Sequence, residues 1–158
     1  MTDPSAVQAQ TRQQIISAIQ QYLDALEGKA GSTLSDLARA LDNLVLTYHQ
    51  TADVEPDTVN SEAPRIEEKP LIDAAAAAHP DLDWYALVTP EDGPEQQVGM
   101  SIAVGDLVEI AADLHEVLWL FEHAGHNDAV WDFRFGYQTH WGRHLHEVRT
   151  YLHSLAAW

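Results

Sequence analysis

Two histidines near the C-terminus are the side chains in this sequence best spaced for chemistry. His140 and His144 lie four residues apart in the run Thr139-His-Trp-Gly-Arg-His-Leu145. A helix places residues at this spacing on one face, so both imidazoles could reach one divalent metal ion. Glu147 follows one helical turn later, and His49, at the end of an earlier helical stretch, can complete a three-histidine set. A metal-binding bundle, acting as a hydrolase or transferase, is therefore one hypothesis.

The same residues also fit a structural role, which we favour. His144 falls within an apolar stripe, where a buried imidazole ordinarily bonds to a carboxylate or a carbonyl. Asp106 and Asp113 border the apolar stripe of the preceding helical stretch. We expect Arg143 to pair with Asp106, or Arg134 with Asp113, because such pairs fix the register of neighbouring helices. On this interpretation no cofactor is expected.

Signatures of common catalytic sites are missing from the sequence. There is no cysteine, no Gly-rich phosphate loop, no Gly-x-Ser-x-Gly elbow and no His-Glu-x-x-His motif. The leading hypothesis is therefore a non-enzymatic interaction or adaptor protein. In that case the polar network, or candidate site, comprises Asp106, Asp113, His140, Trp141, Arg143, His144 and Glu147.

The elements that would position these residues are helices. Apolar residues recur at helical spacing in residues 4–27, 33–51, 101–124 and 127–156, and residues 67–78 suggest a shorter helix that Pro80 ends. Thr2 or Asp3 can cap the first helix, Thr33 the second and Asn127 the last. The pattern predicts an all-α fold, a bundle of four main helices plus a short one, forming a single domain over residues 1–158.

The middle of the chain is predicted to be less regular. Residues 52–66 are polar and acidic, with Pro56 and Pro64, and indicate a mobile surface loop. Residues 81–88 suggest an extended segment or a short strand, with strand signals at residues 84–88. Trp131 and Phe135 fall off the main stripe of the last helix, so they either pack on the Trp84-Tyr85 segment, which we favour, or are exposed anchors for a partner.

The charge of the chain limits its partners. The 158 residues include 25 Asp and Glu against 8 Lys and Arg, a net charge of −17. This balance disfavours nucleic acids and anionic membranes, so the expected partner is a protein, with a homo-oligomer left open. A second alternative is an acidic inhibitor or immunity-type protein that binds a basic partner through residues 53–95. Without a signal sequence or an apolar run of membrane-spanning length, the expected location is the cytoplasm.

Several short motifs occur in the second half of the chain. They are Gly105-Asp106-Leu107-Val108-Glu109-Ile110, Asp113-Leu114 and Thr139-His-Trp-Gly-Arg-His-Leu145, with Arg149, Leu152-His153 and a weaker match at His79-Pro80-Asp81-Leu82 and Trp84-Tyr85. In these residues the sequence resembles an uncharacterised bacterial family catalogued as domain of unknown function 5063. The resemblance implies an all-helical fold and no assigned reaction. It also implies no equivalent of His49, which argues against the three-histidine site.

Overall fold

The computed structural model describes residue 1, residues 3–58 and residues 61–156. Thr2, one of the two predicted caps, lies outside them. The described residues form α1 (Pro4–Leu26), α2 (Leu34–Gln50), α3 (Lys69–Ala78), β1 (Trp84–Leu87), β2 (Gly99–Ile102), α4 (Ala103–His123), α5 (His126–Thr139) and α6 (Trp141–Leu155). Two short 3₁₀ turns occupy Lys29–Gly31 and Pro90–Asp92. The fold is thus mostly helical, as predicted.

The first two helices begin where their capping residues predict. Asp3 accepts a hydrogen bond from the Ser5 backbone N–H at 3.0 Å, and Pro4 occupies the first turn of α1. Thr33 and Asp36 form a reciprocal capping box at the start of α2. Between the helices, Gly28 adopts a left-handed φ of +72°, and a Cβ there would lie 2.6 Å from the Ala78 Cβ. Glycine therefore lets the end of α3 approach this turn.

Helix α4 lies at the centre of the hydrophobic core. Buried apolar side chains from all six helices form one continuous cluster, and α4 packs against α1, α3, α5 and α6. Its residues Leu107, Ile110 and Leu114 are fully buried. The buried Tyr22 hydroxyl donates a 2.6 Å hydrogen bond to the Leu107 carbonyl, which joins α1 to α4. These contacts fix the position of α4, including the side of the helix that does not face the core.

A small antiparallel hairpin makes the all-α prediction wrong in part. β1 pairs with β2 so that Trp84 faces Ile102 and Ala86 faces Met100. The short strand, one of the two alternatives predicted for residues 81–88, is confirmed as β1, but the predicted helix at 101–124 begins only at Ala103. Ser101 and Ile102 of β2 therefore fall inside the helix that the sequence predicts at 101–124.

The predicted single helix over 127–156 is two helices, α5 and α6. His140, between them, has φ −144° and ψ −81°, which is not helical. A Cβ on Gly136 would lie 2.7 Å from the Trp141 Cδ1, and a Cβ on Gly142 would lie 2.1 Å from the Tyr137 carbonyl oxygen. The two glycines therefore permit a tight corner that buries Trp141 completely.

The start of α5 also differs from the prediction. The helix begins at His126, after Gly125, so Asn127 is not its cap. The Asn127 side chain instead donates a 3.2 Å hydrogen bond to Asp57.

The described residues 52–58 and 61–68, which we call the strap, lie outside the helices. The loop was predicted over 52–66, and the helix predicted from residue 67 begins instead at Lys69. The strap is fastened at several points. Arg134 Nε lies 2.6 Å from Asp53 Oδ1, and the Thr58 backbone N–H donates to Asp128 at 2.9 Å. Arg65 fastens the far end to carboxylates of α4. Val54 and Ile66 pack against the core.

Candidate functional site

Four carboxylates form a row along one side of α4. Asp106, Glu109, Asp113 and Glu116 are spaced three, four and three residues apart, which aligns them on a helix. We call them the acidic row. Like charges at such spacing repel one another, so their arrangement depends on the groups that face them. These groups come from β1, the strap and the corner between α5 and α6.

Asp106 anchors the hairpin from beneath. The Tyr85 hydroxyl of β1 donates a short hydrogen bond to Asp106 Oδ2, and His144 Nδ1 of α6 lies 3.0 Å from Oδ1. Asp106 and Tyr85 are buried. The Tyr85 ring stacks on Tyr151 of α6, with centroids 4.9 Å apart and planes at 13°. One carboxylate therefore links a strand, α4 and α6.

The pKa values of these three groups shift in the directions that favour a hydrogen-bonded ion pair. Burial pushes the pKa of Asp106 upward, but hydrogen bonds from His144, Tyr85 and Ser101 outweigh it, and the net pKa is lowered. The hydrogen bond to Asp106 raises the pKa of His144, against the effect of its burial. Burial, together with the Asp106 charge, raises the pKa of Tyr85, so its hydroxyl stays protonated as a donor.

Asp113 lies further along α4 than Asp106 and forms a second carboxylate–imidazole pair. His140 Nδ1 lies 2.6 Å from Asp113 Oδ2, and Arg65 Nη1 lies 2.8 Å from Oδ1. The His140 and His144 rings are 5.0 Å apart and nearly perpendicular. A carboxylate bonded to an imidazole can orient a general base or a metal ligand. Here both carboxylates also accept a hydrogen bond from a segment outside the helices, which makes them anchors.

Arg65 connects the strap to the rest of the acidic row. Its Nη2 lies 2.8 Å from Glu109 and 3.2 Å from Glu68, and its Nη1 lies 3.1 Å from Glu116. With Asp113, four carboxylates surround one guanidinium, whose fork of five N–H donors suits several acceptors. This arrangement neutralises part of the row and holds the strap end above α4.

Asp132 of α5 adds a further carboxyl group to this region. Burial and the charges of Glu116 and Asp113 raise its pKa to about 6. Arg65 and His140 face Asp113, whereas the structure shows no hydrogen bond or ion pair to Asp132 from the described residues. Asp132 is therefore the least compensated acid of the group.

The structure assembles most of the residues predicted from the sequence, but not the predicted pairs. Arg143 does not reach Asp106; its side chain is 77% exposed and lies 3.8 Å from Glu147. Arg134 does not reach Asp113; it binds Asp53 and the Tyr48 and Thr51 carbonyls at the end of α2. Histidines take the places that we had assigned to the arginines.

The structure does not bring the three predicted metal ligands into one site. His49 packs beside Tyr48 and Tyr137, away from the acidic row. Its ring centroid lies 5.1 Å from that of Tyr48 and 6.3 Å from that of Tyr137. Among the residues that the structure describes, no group of three or more His, Asp or Glu side chains is arranged to hold a metal ion. Trp141 belongs to the core, and its buried Nε1 has no hydrogen-bond partner among the residues that the structure describes.

Sequence reasoning missed Arg65 and the role of Tyr85. Arg65 is the single basic residue between Asp53 and Glu68, a stretch with six acids. That isolation, next to the apolar Ile66, was a usable signal of an anchor. Tyr85 gave a weaker signal, because its contact depends on the strand register.

Trp131 and Phe135, expected to pack on the Trp84-Tyr85 segment, stack on each other instead. Their ring centroids are 4.6 Å apart, and both rings remain partly exposed.

A second candidate surface lies on the side of the hairpin that faces away from α4. Alternation along the strands turns Trp84 and Ala86 of β1 and Met100 and Ile102 of β2 outward, and the exposed Val88 and Val98 follow the same spacing just beyond the strand ends. We call these six residues the outer face. Trp84 is 55%, Val98 63%, Met100 68% and Ile102 42% exposed. All six side chains are apolar, and the register sets Trp84 opposite Ile102 and Ala86 opposite Met100, so these side chains are neighbours on one face.

Comparison with known proteins identifies the family. The model of a family described as a domain of unknown function, DUF5063, matches residues 6–158. The chain belongs to the DUF5063 family. No protein with a curated function matches it. The resemblance noted in the second half of the sequence therefore extends over almost all of this DUF5063 chain.

The DUF5063 fold also occurs in a solved structure. Protein BF1032 from Bacteroides fragilis, determined by a structural genomics consortium, is similar with a TM-score of 0.70 and 16% identity. The match covers 92% of this chain and 91% of that one. At this identity the likeness concerns the fold alone. In the described part of the DUF5063 chain, no helix is long and apolar enough to cross a bilayer.

Proposed function

We propose that this DUF5063 protein is a non-enzymatic interaction protein and that the outer face of the hairpin is its docking surface. The observation that carries the proposal is the apolar surface of six side chains on that face. Exposed apolar residues scattered singly are normal, whereas a contiguous patch with a polar surround is typical of a partner site. A bound partner would remove this surface from water.

The inner side of the hairpin supports this proposal. A two-stranded hairpin alone is marginally stable in water. Here Tyr85 is tied to Asp106 and stacked on Tyr151, and the Asp83 backbone N–H donates to the Tyr151 hydroxyl at 3.2 Å. In the loop that joins the two strands, the Thr89 backbone N–H donates to the Gln96 side chain at 2.8 Å. The outer face is thus presented on a preorganised support, which reduces the entropy cost of binding.

The polar network supports a positioning role rather than a reactive one. Asp106 fastens the hairpin, and Asp113, with Glu109 and Glu116, fastens the strap through Arg65. His140 and His144 each bond to one of these aspartates. The chemistry-capable groups are therefore engaged in holding the two segments that lie outside the helices.

Site-specific photo-crosslinking tests the proposal. A photoreactive amino acid is placed at Met100, or at Leu46, which is also exposed but lies on α2, in cells that naturally produce the chain. We expect an adduct with another protein from position 100 and none from position 46. The captured protein, once identified and purified, should bind the wild-type chain and the Leu46→Gln variant, and bind Met100→Gln about tenfold more weakly.

Two outcomes contradict this proposal. Equal adducts from both positions indicate unspecific contact. A captured protein whose affinity is the same for Met100→Gln and Leu46→Gln docks elsewhere on the chain.

A further inference from the structure

Resting on the proposed function, we infer that the partner of the outer face is an amphipathic helix whose apolar stripe is flanked by lysine or arginine. Two features favour this partner: the negative charge of the segment that carries the hairpin, and the width and length of the outer face.

The segment that carries the hairpin is acidic. Residues 70–102 contain six acids, Asp73, Asp81, Asp83, Glu91, Asp92 and Glu95, and no lysine or arginine. No lysine or arginine occurs between Lys69 and Arg134. An apolar surface with such a rim favours a partner that brings positive charge to its margins, because complementary charges speed association and exclude wrong partners.

The same charges disfavour a second copy of this chain as the occupant. Two hairpins packed face to face would bring together two acidic rims with no base from either 70–102 segment. Each copy also carries a net charge of −17. At ionic strengths where the Debye length is about 10 Å, rim charges within one interface still repel. Self-association would therefore need high salt.

The geometry of the face favours a helix that lies across it. A strand added to the edge of β1 or β2 would extend the sheet and leave the outer face uncovered. Two paired strands spaced about 4.8 Å apart form a surface about 10 Å wide, close to the diameter of a helix. Five extended residues, 84–88, span about 16 Å, which corresponds to about three helical turns.

Three synthetic peptides test the inference with the purified full chain. The first is a helix of about 15 residues with a leucine stripe and lysines elsewhere. The second has the same composition, shuffled so that the stripe is lost. The third keeps the stripe but replaces every lysine with glutamate. Fluorescence anisotropy of each labelled peptide, in about 0.05 M salt, gives its affinity.

We expect the first peptide to bind at least about tenfold more tightly than the second, because both share charge but only one can cover the apolar face. The third should show no saturable binding, and the affinity of the first should fall as salt rises to about 0.5 M. Similar binding of the first two peptides would show that the acidic surface attracts any cation, and would overturn the inference.

Variants of the chain locate the binding. The neutral double change Val98→Thr and Met100→Gln should weaken the first peptide about tenfold, whereas Leu46→Gln should leave it unchanged. Glu91→Gln with Glu95→Gln should lower both affinity and salt dependence more than the matched pair Glu55→Gln with Glu122→Gln. Thermal melts confirm that each variant remains folded. If the outer-face change has no effect, the inference is wrong.

The outcomes also separate this inference from the proposed function. Binding of the glutamate peptide with the same dependence on Met100 would keep the docking surface and reject the basic partner. Sedimentation that shows a dimer which strengthens with salt and is lost in Met100→Gln would identify a second copy as the occupant, and would overturn the inference while keeping the docking surface.

Discussion

At the scale of single residues, the hydrogen bond between Asp106 and His144 shifts the pKa values of the two groups in opposite directions. The folded-state pKa of Asp106 is lowered, so its contribution to stability is complete above the unfolded value of about 3.9 and is lost as pH falls. The folded-state pKa of His144 is raised, so its contribution is complete below about 6.5 and is lost as pH rises through the folded value. The pair therefore stabilises the fold most between these limits.

Tyr85→Phe tests the anchor of the hairpin. The change removes the hydroxyl that donates to the buried Asp106 carboxylate. We expect a loss of about 1–2 kcal/mol in the free energy of unfolding, measured by urea denaturation at pH 6. Tyr151→Phe, which removes an exposed hydrogen bond from the stacked partner ring, is the control and should cost less. Equal losses would mean that the carboxylate contact does not anchor the strand.

Asp132→Asn tests the uncompensated acid. Because the folded-state pKa of Asp132 is about 6, above the unfolded value, the charged carboxylate destabilises the fold as pH rises from about 4 to about 6. The asparagine variant should therefore be more stable by about 1–2 kcal/mol at pH 7.5 and equal to wild type near pH 4. Melts across this range test it, with Glu122→Gln as a control for net charge. A gain that is the same at both pH values would contradict the assignment.

At the scale of elements, local signals predicted helix ends better than helix breaks. The caps at Asp3 and Thr33 depend on residues that are close in sequence, so the starts of α1 and α2 were predicted correctly. The corner at His140 was missed because Tyr137, Trp141, His144 and Val148 keep helical spacing across it, and both helices face the same core. The break depends on how closely Gly136 and Gly142 let the two helices approach, which is tertiary information.

The candidate site was predictable in its members and not in its pairs. The acidic row and the histidine pair follow from spacing within one helix each. Whether Asp106 meets His144 or Arg143 depends on the offset and rotation of α6 against α4, which the core sets. Arg65 and Tyr85 come from outside the helices, so no helical period could have connected them to the row.

Arg65→Gln tests the fastening of the strap. Without the guanidinium, Glu109, Asp113 and Glu116 repel one another, and the strap end loses its ion pairs. We expect amide hydrogen exchange in the described residues 61–68 to rise about tenfold, while exchange in α1 stays unchanged. Arg39→Gln, which removes an exposed arginine near Asp36, is the matched control. Unchanged exchange in the strap would assign its order to Val54 and Ile66 packing instead.

At the scale of the whole molecule, repulsion among acids competes with the ion pairs that use the few bases. Arg65, Arg134 and Arg149 already join the strap and helices to carboxylates, and Arg149 binds Asp42 at 2.7 and 3.0 Å. The remaining acids far outnumber the free bases, since 25 acids face 8 bases in total. Salt screens both effects, so the sign of its influence on stability shows which one dominates.

We expect salt to stabilise this protein. Raising sodium chloride from about 0.02 M to about 0.3 M at pH 8 should increase the Tm by about 2–4 °C, equivalent to about 1 kcal/mol, because the net charge of −17 repels itself. The gain should shrink at lower pH, because each histidine that gains a proton reduces the net negative charge. Arg65→Gln should show a larger gain than wild type, since it raises the net negative charge and removes ion pairs that salt weakens. A Tm that falls with salt at pH 8 would show instead that the arginine-centred ion pairs outweigh the repulsion among the acids.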